Sequence, residues 1–193
     1  MLYKFLSNPI VYLISQIPFI HPRKHFINML VKKNSKILDL GCGPGYLTKY
    51  LNAKYYLGID NSEKYIGLAK KKYERKNSKF MKKDIINLNY SGYNKFDYVT
   101  IIGTLHHLSD YEIKKLIKNL SKLPKKTKII TFDGYRSKKD NFIKKFLYNN
   151  DRGKFIRHEK NYKKLFPIKK FNIETYKKNY FYYNFICFKL LRK

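Results

Sequence analysis

Apolar residues recur along this chain in two rhythms. Short runs rich in Ile, Val, Phe and Tyr alternate with longer segments whose apolar positions return every three or four residues. The short runs predict five strands, at Lys36–Leu40, Tyr55–Ile59, Lys79–Lys82, Phe96–Ile102 and Lys128–Phe132. The longer rhythm predicts helices from Gly45 to about Leu51, over Ser62–Tyr73 with Asn61 or Ser62 as cap, and over Asp110–Ser121. In the last of these, Ile113, Leu116, Ile117 and Leu120 share one face. Upstream, Ser7 or Asn8 caps a helix with Pro9 in its first turn and Ile10, Leu13, Ile14 and Ile17 on one side. Pro18 and Pro22 break that helix, and a second covers Arg23–Val31.

Strand–helix alternation argues for a mostly parallel sheet with helices on both faces. The tail departs from it. After helical segments within 138–166 come two strand-like runs, Lys170–Tyr176 and Phe181–Leu190, joined by a polar loop around Lys177–Asn179. Strands so close must pair antiparallel, because a parallel crossover needs about a dozen residues or more.

The strand ends carry the chemistry. Strand 1 ends Asp39-Leu40-Gly41-Cys42-Gly43-Pro44-Gly45-Tyr46, an acid followed by three alternating glycines. Strand 2 ends at Asp60, 21 residues after Asp39. Such glycines let the backbone turn sharply and approach a ligand, and an acid in the position of Asp60 accepts hydrogen bonds from ribose hydroxyls. The spacing is not the G-x-G-x-x-G of a dinucleotide loop. A carboxylate at Asp39 would repel a pyrophosphate and suits a cofactor with a cationic ammonium or sulfonium.

This segment resembles motif I of the class I S-adenosylmethionine-dependent methyltransferases, and Asp60 resembles that family's ribose-binding acid. The resemblance covers about residues 8–193, with the specific motifs within 36–107. It implies a Rossmann-like, mostly parallel seven-stranded sheet with a C-terminal antiparallel hairpin. It also implies one domain over 1–193, with a helical cap at 1–33 and a core at 34–193. S-adenosylmethionine would meet Asp39, Gly41, Cys42, Gly43, Gly45, Tyr46, Asp60 and Asn61. Asp84 would face the adenine amino group, Ile85 the ring, and the backbone at Ile102–Gly103 the methionyl part. The Leu105-His106-His107 segment resembles the small-molecule enzymes of the ubiquinone-biosynthesis type. There either histidine is a candidate base, with Asp133 a further catalytic candidate. Tyr135, Arg152 and Arg157 are candidates for the acceptor pocket.

Composition modifies this picture less than its extremes suggest. The formal net charge is +30, from 43 basic and 13 acidic residues, but only six of the basic residues are Arg. Abundant Lys, Asn, Ile and Tyr fit an AT-rich coding sequence, and the lysines are spread along the chain rather than blocked. Five of the 13 acids (Asp39, Asp60, Asp84, Asp97, Asp133) lie at or beside strand ends, where open α/β sheets build sites. Three of the six arginines, Arg136, Arg152 and Arg157, fall within 22 residues. In a lysine-dominated chain a retained Arg signals either a structural Arg–Asp pair or bidentate recognition of a carboxylate or phosphate, which admits an anionic acceptor.

Cys42 and Cys187 have neither metal-ligand spacing nor a disulfide pattern, so no metal is expected and a reducing cytoplasm fits. Residues 2–20 are too interrupted for a transmembrane helix, although their apolar faces permit peripheral membrane contact. The expected activity is methyl transfer to a small-molecule or lipid-like acceptor, by a monomer or homodimer. An RNA methyltransferase is the alternative. Against it, strand 4 leads into Ile102-Gly103-Thr104-Leu105 rather than an Asn/Asp-Pro-Pro-aromatic base clamp, and neither cysteine lies where a pyrimidine-attacking nucleophile would.

Overall fold

The computed structural model describes residues 17–193. The Ser7/Asn8 cap, Pro9 and most of the Ile10–Ile17 face lie outside the described residues. In chain order the elements are α1 (Ile17–Leu30), β1 (Ser35–Leu40), β2 (Ala53–Asp60), α2 (Glu63–Tyr73), β3 (Ser78–Lys82), β4 (Tyr98–Ile102), α3 (Asp110–Leu120), β5 (Lys128–Gly134), α4 (Phe142–Asn149), α5 (Glu159–Leu165), β6 (Phe171–Asn179) and β7 (Asn184–Arg192).

The strands form one seven-stranded sheet in the order β3-β2-β1-β4-β5-β7-β6. The first five are parallel, and β7 runs antiparallel to both β5 and β6. The expected hairpin is therefore present. Its turn lies at 180–183, not at Lys177–Asn179, because Asn179 still pairs with Asn184.

Each face of the sheet is covered. On one face α3 buries Ile113, Leu116, Ile117 and Leu120 against Leu38, Val99 and Ile101. Full burial of such side chains is worth about 2 kcal/mol each. The start of α3 is set by a capping box, in which Ser109 accepts from Glu112 N–H and Glu112 accepts back from Ser109 N–H at 2.8 Å. On the other face lie Phe26 and Ile27 of α1, and Ile66 and Ala69 of α2.

Two helix expectations fail. The segment after Gly45 is a single 3-10 turn, Tyr46–Lys49, because the chain must enter β2 at Ala53 and has no room for a second turn. The helix expected from Arg23 begins at Ile17 and runs through Pro22. Proline removes one backbone hydrogen bond there, and burial of Phe26, Ile27 and Leu30 against the sheet outweighs that loss.

Candidate functional site

The parallel strands β1 to β4 all end at one edge of the sheet, and a cleft of about 460 Å³ opens there. Its wall comes from the loop after β1 (Gly41, Gly43), the end of β2 (Asp60, Asn61, Ser62) and Tyr65 of α2. Asp84, Ile85 and Ile86 follow β3, and Gly103, Thr104, His107 and Leu108 follow β4. Glu112 and Arg152 complete it.

The loop after β1 owes its shape to contacts that only glycine permits. Gly41 has φ +76°, and a Cβ there would lie 2.2 Å from Thr104 Oγ1. Asp60 then ties the loop to β2. Its Oδ2 accepts from Gly43 N–H and its Oδ1 from Ser62 N–H, both at 2.9 Å. Burial pushes the Asp60 carboxyl up, while the amides of Ser62 and Gly43 hold it back. Asp84 accepts from Ile86 N–H at 2.8 Å and from Asn87, which fixes the turn that presents Ile85 to the cleft.

Several residues expected in contact with a ligand lie elsewhere. Asp39 is buried below the loop, where Tyr56 Oη and Thr100 Oγ1 donate to it at 2.6 and 2.7 Å. Its carboxyl therefore supports the sheet rather than facing a bound cation. Burial pushes its pKa to about 6, against the two hydroxyl bonds. A raised acid pKa means the folded state holds its proton more tightly, so the associated stability is present at low pH. It is lost as pH rises from about 4 to about 6, at up to about 1.4 kcal/mol per pH unit. Asp39→Asn should flatten that slope, as urea unfolding of both proteins across pH 4 to 8 will show.

Cys42 is buried and its thiol is held well above its usual range by desolvation, with Asp39 and Asp60 adding to the shift. Gly45 packs on Phe80, 2.7 Å from where its Cβ would be. The Tyr46 hydroxyl is taken by Arg23. The Ile102 side chain is in the core, while the backbone expected to meet the cofactor leads into Gly103, which lines the cleft. Tyr135 donates to Asn179 at 2.8 Å, away from the cleft. Asp39, Cys42, Tyr46 and Tyr135 are close in sequence to the strand ends that build the site, but the local backbone direction turns their side chains into the protein or away from the cleft.

The two histidines separate. His106 is turned inward, with Nδ1 2.6 Å from Asp133 Oδ1 and Nε2 3.5 Å from Asp151. Burial disfavours its charged form, but the hydrogen bond and charge of Asp133, with Asp151 behind, outweigh that and raise its pKa. Asp133 is itself buried and does not line the cleft. His107 does line it, with its ring 4.2 Å from that of His106. Surrounding protein atoms, then His106, push its pKa down. The residue is exposed, so water moderates the drop.

The arginines separate too. Arg152 reaches the cleft and donates to Tyr65 Oη at 2.9 Å. Arg157 is 8% exposed and clamps structure. It donates to Asp110 at 2.8 Å and to the carbonyls of Leu105, Leu108 and Phe155. It is the structural Arg–Asp pair, not an acceptor ligand. Arg157→Ala should lower stability by about 2 kcal/mol, read by urea unfolding, with no loss of cofactor affinity beyond that unfolding.

Sequence reasoning missed Arg23, Tyr65, Glu112 and Asp151. Arg23 is buried under Gly103, with Nη2 3.3 Å from the Cβ position of that glycine. Its rarity in a lysine-rich chain was the available signal. The other three reach the cleft, or the histidine beside it, only through tertiary packing. Among the described residues no group of His, Cys, Asp and Glu is arranged to hold a metal.

Residues 37–127 match the family model described as a methyltransferase domain. Over 106 residues the chain is 31% identical to ubiquinone biosynthesis O-methyltransferase of Coxiella burnetii, covering 53% of this chain and 44% of that protein. It is 28% identical over 96 residues to ribosomal RNA small subunit methyltransferase A of Mesomycoplasma hyopneumoniae, covering 48% and 36%. The chain thus spans less than half the length of these curated relatives. Among solved structures, the N-methyltransferase NodS of Bradyrhizobium japonicum with bound S-adenosyl-L-homocysteine superposes with TM-score 0.75 at 17% identity, covering 99% of this chain and 96% of that one. The magnesium protoporphyrin IX methyltransferase of Synechocystis, also with the bound product cofactor, gives 0.68 at 19%, covering 98% and 88%. The methyltransferase-domain match over residues 37–127, the 3-2-1-4-5-7-6 sheet and the glycine loop tied to Asp60 make this chain similar in its central segment and in its fold to the class I S-adenosylmethionine-dependent methyltransferases.

Proposed function

We propose that this protein transfers a methyl group from S-adenosylmethionine to a small-molecule or lipid-like acceptor. The observation that carries the reading is the cleft at the strand ends, where the glycine loop, Asp60 and Asp84 converge. The donor set fits the cofactor. Each Asp60 oxygen takes one backbone N–H and keeps a lone pair for a ribose hydroxyl. Asp84 and Ile85 offer a polar edge and an apolar face to an adenine. The buried Arg23 guanidinium beneath Gly103 suits the carboxylate of the methionyl part.

When bound, the cofactor supplies a methyl group already activated on a sulfonium, so the protein's contribution is largely alignment of the acceptor. His107 is the histidine fitted to take a proton. It borders the cleft, and its lowered pKa keeps an imidazole lone pair available at neutral pH. His106 is poorly suited, because two carboxylates stabilise its charged form. Its role is to hold the turn that carries His107, with Asp133 as its anchor. Arg152 is the cation positioned to meet an anionic group on the acceptor.

The relative from Mesomycoplasma is named for ribosomal RNA, but the turn after β4 here carries Gly103-Thr104-Leu105 in place of a base clamp, which favours the small acceptor. Titration calorimetry with S-adenosylmethionine, followed by labelled methyl transfer into a metabolite and lipid extract, tests the proposal. Stoichiometric binding with label in an organic-soluble product is expected. Absence of binding, or label entering RNA alone, would sink it.

A further inference from the structure

The outer face of α4 carries Phe142, Ile143 and Phe146, which are 80%, 40% and 57% exposed. The opposite face of the helix is anchored, with Tyr148 against the Tyr183 ring at 4.8 Å. Phe142 and Phe146 stand one turn apart and so share a side. Asn141 donates to the Phe181 carbonyl at 3.1 Å, which brings the β6–β7 turn beside the start of α4. Phe181 at that turn is 72% exposed. Three phenylalanines and an isoleucine thus project from two adjoining elements, and none of them belongs to the cleft.

The surroundings are cationic. Residues 134–150 and 175–184 contain one carboxylate, Asp140. It is buried and hydrogen-bonded to Ser137 and Asn184. Lys138, Lys139, Lys145 and Lys178 are exposed within the same stretches. Exposed Phe among uncompensated Lys is the composition of a surface that enters an anionic bilayer interface, with rings in the acyl boundary and ammonium groups at the headgroups.

The position in the fold agrees. The β7 strand starts where β5 ends, since Gly134 pairs with Phe185. The hairpin turn and α4 therefore lie at the same edge of the sheet as the cleft formed after β1 to β4. Phe19 of α1 packs on Tyr182 and Tyr183 at this same edge. The 16 residues before α1 contain a single charged side chain, Lys4.

We infer that Phe142, Phe146 and Phe181, with the flanking lysines, dock this edge of the protein on an anionic lipid bilayer. The cleft mouth then faces the lipid, and on the methyl-transfer reading above its acceptor is drawn from the membrane. Docking itself needs no cofactor, so its failure is separable from failure of that reading.

Flotation of the full chain with vesicles tests it, using phosphatidylcholine alone and phosphatidylcholine mixed with phosphatidylglycerol. The full chain should float with the anionic vesicles and weaken as salt rises. Phe142→Ser/Phe146→Ser/Phe181→Ser should lower partitioning about tenfold or more while leaving the melting temperature and cofactor affinity unchanged. Lys138→Glu/Lys139→Glu should weaken binding to anionic vesicles only. Three results overturn the inference: no vesicle binding by the full chain, equal binding by the triple-serine variant, or the Phe substitutions abolishing instead a homodimer seen by light scattering or retention of a single-stranded RNA.

Discussion

Asp60→Asn should weaken binding of S-adenosylmethionine by several-hundred-fold, about 3–4 kcal/mol, while the protein stays folded. The argument rests on what the two carboxylate oxygens already do. One accepts from Gly43 N–H and the other from Ser62 N–H. An asparagine must turn its NH2 toward one of these donors. If toward Gly43, the glycine loop loses its tie to β2; if toward Ser62, the start of α2 does. In either case one acceptor for a ribose hydroxyl is gone and the other is no longer charged. Hydrogen bonds to charged groups contribute about 1.5–3 kcal/mol each, so losing one and weakening another gives the stated range. Titration calorimetry reads the affinity, and thermal unfolding without cofactor reads the cost to the apoprotein. A Kd within about threefold of the parent would show that Asp60 shapes the loop without touching the ligand, a difference of well under about 1 kcal/mol.

What could be seen in the chain before its structure follows from how local each feature is. The succession of strands, their mostly parallel sheet and the closing hairpin are legible, because apolar runs with acids at their ends and a short last connection leave few alternatives, whereas the strand order comes from the structure. The glycine loop and Asp60 were legible because their spacing is a local property of one strand–turn–strand unit. Asp39 was misplaced for an equally local reason. It lies on a strand, where neighbouring side chains face opposite ways, and the register that brings Tyr56 and Thr100 to its carboxyl is tertiary. The arginines show the same limit. Rarity marked Arg152 and Arg157 alike, but only packing shows that one reaches Tyr65 at the cleft while the other seals Asp110 and three carbonyls. Composition marked Arg23 no less clearly, yet it sits in a helix outside every recognised motif.

The same packing explains why the strap formed by residues 151–157 should be the most sensitive part of the site. Gly153→Ala is expected to cost about 3 kcal/mol of stability and to reduce methyl transfer further than unfolding alone accounts for. A Cβ at this position would lie 1.8 Å from His106 Cδ2, 2.7 Å from Cγ and 2.8 Å from the His106 carbonyl oxygen. The imidazole is held at both ends, by Asp133 and Asp151. The strap is held as well, because Phe155 N–H donates to the His106 carbonyl at 2.9 Å. The ring therefore cannot swing aside without giving up a carboxylate, and the strap cannot lift without losing the Phe155 bond and loosening Arg152 at the cleft. Either movement disturbs the turn that carries His107, so alignment suffers before the fold does. Adding His106→Ala to Gly153→Ala removes the ring overlaps but not the contact with the carbonyl, so stability should recover in part while methyl transfer stays low. Urea unfolding, cofactor calorimetry and initial rates on the two single variants and the double variant separate these effects. If Gly153→Ala kept parental rates and stability, the strap would not be seated on His106 as described.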